Sequence, residues 1–211
     1  MTRSRDGLYR SNLLEAIPWV VHGFGTRHAR WPESYRGAHQ IHSDVVLVVD
    51  GAPGELGSAD GLILQEPGVI GVRTADCVPV LLADQRRPMV AAVHAGWRGT
   101  AAGITAKAVL KMRELGASDL VAAIGPAIGP CCYEVGPEVA EQFKELLPES
   151  VEARYIDLIE ANRRQLVAAG LDAELIDAAR LCTRCYAEEF HSWRREGKAA
   201  GRMISAIGIR R

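Results

Sequence analysis

The feature that most constrains the fold is a series of short, unbroken apolar runs cut off by turn residues. Val45–Val49 is continuous and β-branched, the pattern of a strand buried on both faces. Val69–Arg73, Val78–Leu82, Met89–Val93 and Leu120–Ile124 repeat it. Pro79 lies near the start of its run, where a missing N–H is tolerated. Gly51–Gly54, Asp84–Pro88 and Gly125-Pro126 supply the breaks. Helical spacing is read over Thr100–Leu115, with Thr100 as N-cap and Gly116 as the stop. Pro137–Leu147 and Asp157–Ala169 also read as helices, with Gly170 after the second, and a short helix is expected around Tyr186–Phe190. Leu175–Ala178 and Met203–Ile209 read as strands, whereas residues 1–44 are the least regular. Strands in the middle with helices later predict a layered α/β or α+β sandwich with mixed sheets.

A chain of 211 residues fits one domain spanning 1–211. At that size roughly 70% of the unfolded surface is buried, so folding requires neither disulfide nor metal. The net charge of −1, with no basic block, argues against a nucleic-acid partner. A small anion remains admissible, because a few local arginines suffice for one. No apolar run approaches the ~20 residues of a membrane span, and the charged stretch Met1–Arg10 is unlike a secretory signal. A cytoplasmic protein, monomer or homodimer, is expected. Its five cysteines are then thiols or metal ligands rather than staples.

Three loops place polar residues at strand edges among small residues: Gln40–Ser43, Thr74–Cys77 and Val93–Gly99. They contain His42, Cys77 and His94. One thiolate and two imidazoles suit Zn²⁺, and three protein ligands leave a position open. The gaps of 35 and 17 residues form no local signature, so a buried cysteine with two unrelated hydrogen-bonded histidines fits the residues as well. Asp76 can orient a ligand histidine, act as a general acid, or cap backbone N–H groups in its turn. Arg98, just ahead of the helix expected at Thr100, is a candidate phosphate ligand, with Thr100 at the helix terminus and Arg27 as a second arginine; the alternative for Arg98 is stacking on Trp97. Cys131-Cys132 read as small core or pocket-lining residues, since adjacent cysteines bridge poorly. Cys182 and Cys185 form a CxxC with no second CxxC to pair with, and a structural role is expected.

The strings Thr74-Ala-Asp-Cys-Val-Pro-Val80, His94-Ala-Gly-Trp-Arg-Gly99 and Gly125-Pro-Ala-Ile-Gly-Pro-Cys-Cys-Tyr-Glu-Val135 together resemble the YfiH or laccase-domain family. His22–Arg27, Leu181-Cys-Thr183, Arg194-Arg195 and Gly201-Arg202 extend the likeness over about residues 20 to 209. The resemblance implies a layered α/β sandwich shared with a toxin deamidase domain. It also implies a catalytic zinc on His42, Cys77 and His94, and purine nucleoside phosphorylase activity. Two departures stand out: a short stretch between Arg27 and His39, and His191 where the family tends to carry phenylalanine.

The leading expectation is zinc-dependent cleavage of adenosine or inosine by phosphate, with methylthioadenosine phosphorolysis and adenosine deamination beside it. A cysteine hydrolase or deamidase with Cys77 as nucleophile and His94 as base is the alternative. A member that binds zinc and nucleoside without turnover is another. A multicopper oxidase centre is disfavoured, because six histidines, some of them in loops, are too few.

Overall fold

The computed structural model describes residues 1–29, 31–49, 56–151 and 154–210. The turn read at Gly51–Gly54 lies outside them. Eleven strands are present among the described residues: β1 Thr2–Arg3, β2 Tyr9–Arg10, β3 Val20–Phe24, β4 Val46–Val49, β5 Gly61–Leu64, β6 Gly68–Thr74, β7 Val78–Asp84, β8 Val90–Ala95, β9 Leu120–Ile124, β10 Ile176–Ala178 and β11 Met203–Ile209. The α-helices are α1 Asn12–Glu15, α2 Trp97–Ala101, α3 Ile104–Glu114, α4 Pro137–Ala140, α5 Pro148–Val151, α6 Leu158–Ala168 and α7 Trp193–Glu196.

The strands form a five-stranded antiparallel sheet, β1-β2-β3-β11-β6, and a six-stranded mixed sheet, β10-β9-β7-β8-β5-β4. All seven residues of β7 are buried, which is why its run is apolar without alternation. Val78, Val80 and Leu82 point to a core shared with Ile104, Val109 and Met112 of α3 and with Leu158 and Leu166 of α6. Leu81 and Ala83 point the other way, into a core with Phe24, Ile70, Val72 and Ile207 of the second sheet. The order of layers is therefore sheet, sheet, helices, the layered mixed-sheet architecture expected from the sequence.

Several elements differ from the sequence reading. The helix read at Thr100–Leu115 starts earlier, at Trp97, and breaks at Gly103, whose φ of 78° puts it in the left-handed region. Thr100 is inside α2 rather than its cap, a position held by Gly96. The Pro137–Leu147 segment is one turn of α-helix followed by a 3₁₀ turn at Glu141–Phe143. Tyr186–Phe190 is a turn, and the helix of that region is α7, with the Ser192 side chain accepting from the Arg195 amide. Residues 1–44, read as irregular, carry three strands; two are only two residues long, below the length at which a period shows.

The two sheets meet closely at Gly125, where an added Cβ would overlap the Phe24 ring and lie 2.9 Å from Pro79. Gly125→Ala is expected to lower the unfolding free energy by roughly 1–3 kcal/mol, the usual cost of overpacking. Urea denaturation checks this, and Phe24→Leu in the same chain should recover part of the loss. Equal losses in the presence and absence of Phe24 would refute the contact.

Candidate metal centre and cleft

Strand register explains how distant residues meet. In the β7–β8 pair Pro79 lies opposite His94, so Cys77, two residues back, emerges beside the end of β8. In the β5–β8 pair Gly61 lies opposite Val93, and the His94 amide donates to the Asp60 carbonyl at 2.7 Å. The parallel β4–β5 pair brings the loop ahead of β4 to the same end of the sheet. His42, Cys77 and His94 thus present ligand atoms that all lie within 4.8 Å of one another, the convergence that the three-ligand reading required.

Asp60, which the sequence alone does not single out, organises this end of the sheet. Its fully buried carboxylate accepts the amides of Ile41 (3.2 Å), His42 (3.0 Å) and Ser43 (2.6 Å) and the Ser43 hydroxyl (2.7 Å). It also accepts His94 Nδ1–H at 2.7 Å, which fixes the tautomer that leaves Nε2 free as a donor. On the other side Gln40 exchanges two hydrogen bonds with the Arg73 backbone, at 2.8 and 2.9 Å. Held from both ends, His42 adopts φ 59°, a left-handed conformation that a non-glycine residue takes at some cost. Gly99 lets this loop lie over α2, because a Cβ there would meet the Ser43 carbonyl at 2.8 Å.

The donor set fits a borderline-soft divalent ion. An added Cβ at Gly96 would meet Cys77 Sγ and the His42 ring at 3.2 Å, so the residue beside the donors has to be small. The two imidazole rings stand edge to face, with centroids 4.9 Å apart. Burial pushes the Cys77 thiol up, yet hydrogen bonds from His42 and His94 outweigh it and bring its pKa down to about 7. Burial opposes charge on His94, and Asp60 and Cys77 overcome it, lifting its pKa to about 9. The same pair of groups would equally serve a nucleophilic cysteine with a histidine base.

The donors open into a cleft of about 760 Å³. Its basic lining is Arg73, Arg98, Arg194 and Arg202, and its aromatic lining is Trp97, Tyr133 and Trp193. Arg98 does both things considered for it: it lines the cleft and stacks on Trp97, its guanidinium carbon 4.3 Å from the ring centroid. Arg194 lies over Tyr133 at 5.3 Å and Arg202 over Trp193 at 5.5 Å. Burial, then the neighbouring Cys77, raise the Tyr133 hydroxyl to about 12, so it is a hydrogen-bond donor at neutral pH.

Other proposed site residues are placed differently. Thr100 is fully buried, its hydroxyl bonded to Asn162 at 3.0 Å, and it does not line the cleft. Arg27 is engaged with Glu196 (2.9 Å), His191 (3.3 Å) and the Ala187 carbonyl (2.8 Å), away from the cleft lining. Asp76, at φ 86°, lines the cleft but accepts from Thr183 Oγ1 (2.6 Å), Ser192 Oγ (3.1 Å) and the Arg194 amide (2.6 Å). It ties the 183–194 segment beside Cys77, while the orientation of a ligand histidine falls to Asp60. Cys131, Cys132, Cys182 and Cys185, read as separate lining or structural residues, gather into a second cluster. The signal was present as Cys-Cys and CxxC, but their meeting depends on the fold.

Asp60→Asn should weaken metal binding about 10–100-fold, the usual effect of losing the partner of a ligating histidine. Competition titration with a chelator of known affinity reads this; unchanged affinity would show that Asp60 serves the loop alone. Binding requires thiolate and neutral imidazole, so acid opposes it. Zn²⁺ affinity should rise with pH from below 7 and level off only above about 9, once His94 has lost its proton.

The solved YlmD structure from Geobacillus stearothermophilus superposes on this chain with a TM-score of 0.86 at 29% identity, covering 100% of this chain and 98% of that one. A purine nucleoside phosphorylase from Bacteroides thetaiotaomicron is 43% identical over 167 residues, 73% of this chain, and the match spans 62% of that relative's length. The adenosine deaminase RL5, from an unknown prokaryotic organism, is 40% identical over 173 residues, 76% of this chain and 66% of that protein. Residues 25–210 match the family described as multi-copper polyphenol oxidoreductase laccase, and the chain belongs to that family.

Proposed function

We propose that the chain is a purine nucleoside phosphorylase that transfers the ribosyl group of adenosine or inosine to phosphate, with zinc held by His42, Cys77 and His94. The observation that carries this reading is the composition of one cleft: a three-ligand donor set, several guanidinium groups and three aromatic rings face the same space. The names of the relatives from B. thetaiotaomicron and G. stearothermophilus support it.

Each group has a task that its chemistry suits. Phosphate is a doubly or singly charged oxyanion, and arginine forks bind it with paired hydrogen bonds. Arg98, in the opening turn of the helix directly after β8 and its His94, is the first candidate; Arg73, Arg194 and Arg202 supply the surrounding positive field. Purine bases stack on aromatic faces, which Trp97, Tyr133 and Trp193 provide. Cleavage of the bond between ribose and base develops positive charge on the sugar, and a phosphate held beside it both offsets that charge and attacks C1′. The Tyr133 hydroxyl, kept protonated, can hydrogen-bond to a ring nitrogen as the base departs. Bound zinc supplies Lewis-acid stabilisation of negative charge on an oxygen ligand. Methylthioadenosine fits the same chemistry with an altered ribose.

Adenosine deamination is a second reading, favoured by the likeness to the adenosine deaminase RL5. It needs water rather than phosphate as the second substrate, so phosphate dependence separates the two.

Purified protein with inosine and phosphate should release hypoxanthine and ribose 1-phosphate, and adenosine without phosphate should yield inosine if deamination also occurs. Arg98→Gln should raise KM for phosphate about tenfold or more, equivalent to ~1.4 kcal/mol or above, with little change in KM for the nucleoside. Turnover of no nucleoside at high enzyme concentration would end the proposal. Rapid alkylation of Cys77 in the zinc-loaded protein would turn the case toward a cysteine hydrolase.

A further inference from the structure

Outside the cleft, four cysteines from two separate segments come together. Cys131 and Cys132 follow the turn at Gly129-Pro130, and Cys182 and Cys185 belong to the turn after Leu181. Their four sulfurs lie within 4.8 Å of one another, and all are free thiols. Cys185 Sγ is 3.4 Å from Cys132 Sγ and 3.7 Å from Cys131 Sγ. A disulfide bond is ~2.05 Å long, so these sulfurs are unbonded neighbours. A zinc–sulfur bond of ~2.3 Å in a regular tetrahedron places the sulfurs ~3.8 Å apart, close to the spacing observed. The cluster is too tight to enclose several irons with bridging sulfides.

One sulfur also receives a main-chain donor. Cys182 Sγ accepts the Gly129 amide at 3.3 Å, a bond from the loop that carries Cys131 and Cys132. The two segments are thus joined at this sulfur, and a main-chain donor there lowers the charge density of a metal-bound thiolate. Arg184 lies near Cys132, and its positive charge offsets part of the net negative charge that four thiolates leave on a divalent ion. The two segments are placed independently of the sulfurs by a parallel bridge between Ala127 and Cys182, with Thr183 N donating to Ala127 O at 3.0 Å. A Cβ at Gly129 would lie 3.3 Å from Cys182 Cβ and 3.4 Å from Cys131 Sγ, so a side chain there would press on the cluster.

We propose that Cys131, Cys132, Cys182 and Cys185 form a second metal site that holds one Zn²⁺ and clamps the Gly129–Tyr133 loop to the Cys182–Cys185 turn. Four sulfur donors with no oxygen or nitrogen exclude Mg²⁺ and Ca²⁺ as natural occupants and favour zinc. Four protein ligands leave no vacant position, so the site is structural. Its neighbours connect it to the cleft: Tyr133 directly follows Cys132 and lines the cleft, and Thr183 directly follows Cys182 and bonds to Asp76. On loading, each thiol releases its proton to solvent and no electron moves.

The site does not depend on the nucleoside reading, and metal counting separates the two. Protein produced in zinc-supplemented medium and purified under reducing conditions without chelator should contain two zinc ions per chain by elemental analysis. Cys77→Ala, which removes a cleft donor and leaves all four clustered thiols, should retain one. X-ray absorption at the zinc edge of that variant should show a shell of four sulfurs at ~2.3 Å and no nitrogen. Cys185→Ser, at an exposed position, should also retain one zinc, and its edge spectrum should show mixed nitrogen and sulfur. A Cys77→Ala chain that is folded by circular dichroism but holds no zinc would overturn the proposal. So would rapid maleimide labelling of all four thiols in the zinc-supplemented protein. If Cys185→Ser fails to fold, the Cys77→Ala measurements still decide.

Discussion

The buried carboxylate of Asp60 is the interaction on which the site depends. It gathers the amides of residues 41 to 43, a hydroxyl and an imidazole N–H, groups that belong to a loop and to the end of a core strand. A carboxylate in so dry a place is tolerable only because its lone pairs are occupied, and those hydrogen bonds together hold it well below the usual carboxylate range against the opposing effect of burial. The same bonds decide where His42 sits, which nitrogen of His94 carries the proton and how the loop before β4 enters the sheet. The metal donors are thus a consequence of one charge satisfied by its surroundings.

Much of this was legible in the sequence, and the reasons are specific. Strands such as Val78–Asp84 are buried on both faces, so their apolar runs are unbroken and easy to read. The loops with His42, Cys77 and His94 stood out because they interrupt those runs with chemically active residues. Asp60 was invisible, because an aspartate ahead of a short strand looks like any turn residue until its five donors are seen. Thr100 looked like a cap because the sequence hides the left-handed break at Gly103 that divides the helix in two. Arg27 looked like an anion ligand because its partner, Glu196, lies 169 residues away. The clustered cysteines were read apart for the same reason: pairing across more than 50 residues is a property of topology, set here by the bridge at Ala127 and Cys182.

The two sides of the cleft are built on different principles. One side is an end of the central strands of the six-stranded sheet, where the donors are fixed by the β7–β8 ladder, by the Asp60 carboxylate and by a core in which every residue of β7 is buried. The other side, with Trp193, Arg194 and Arg202, consists of turns and the four-residue helix α7, and depends on side-chain bonds to Asp76 and Arg195. The left-handed backbones at His42 and Asp76 mark where each side meets the donors.

That asymmetry has a kinetic meaning. Segments held by few main-chain ladders open locally at much lower free energy than strands in a core. Loosening the turns around α7 would open the cleft from that side, while His94 within β8, Cys77 directly before β7 and His42 tied down by Asp60 keep their spacing. Traffic through the cleft and integrity of the donor triangle are thereby assigned to separate parts of the chain.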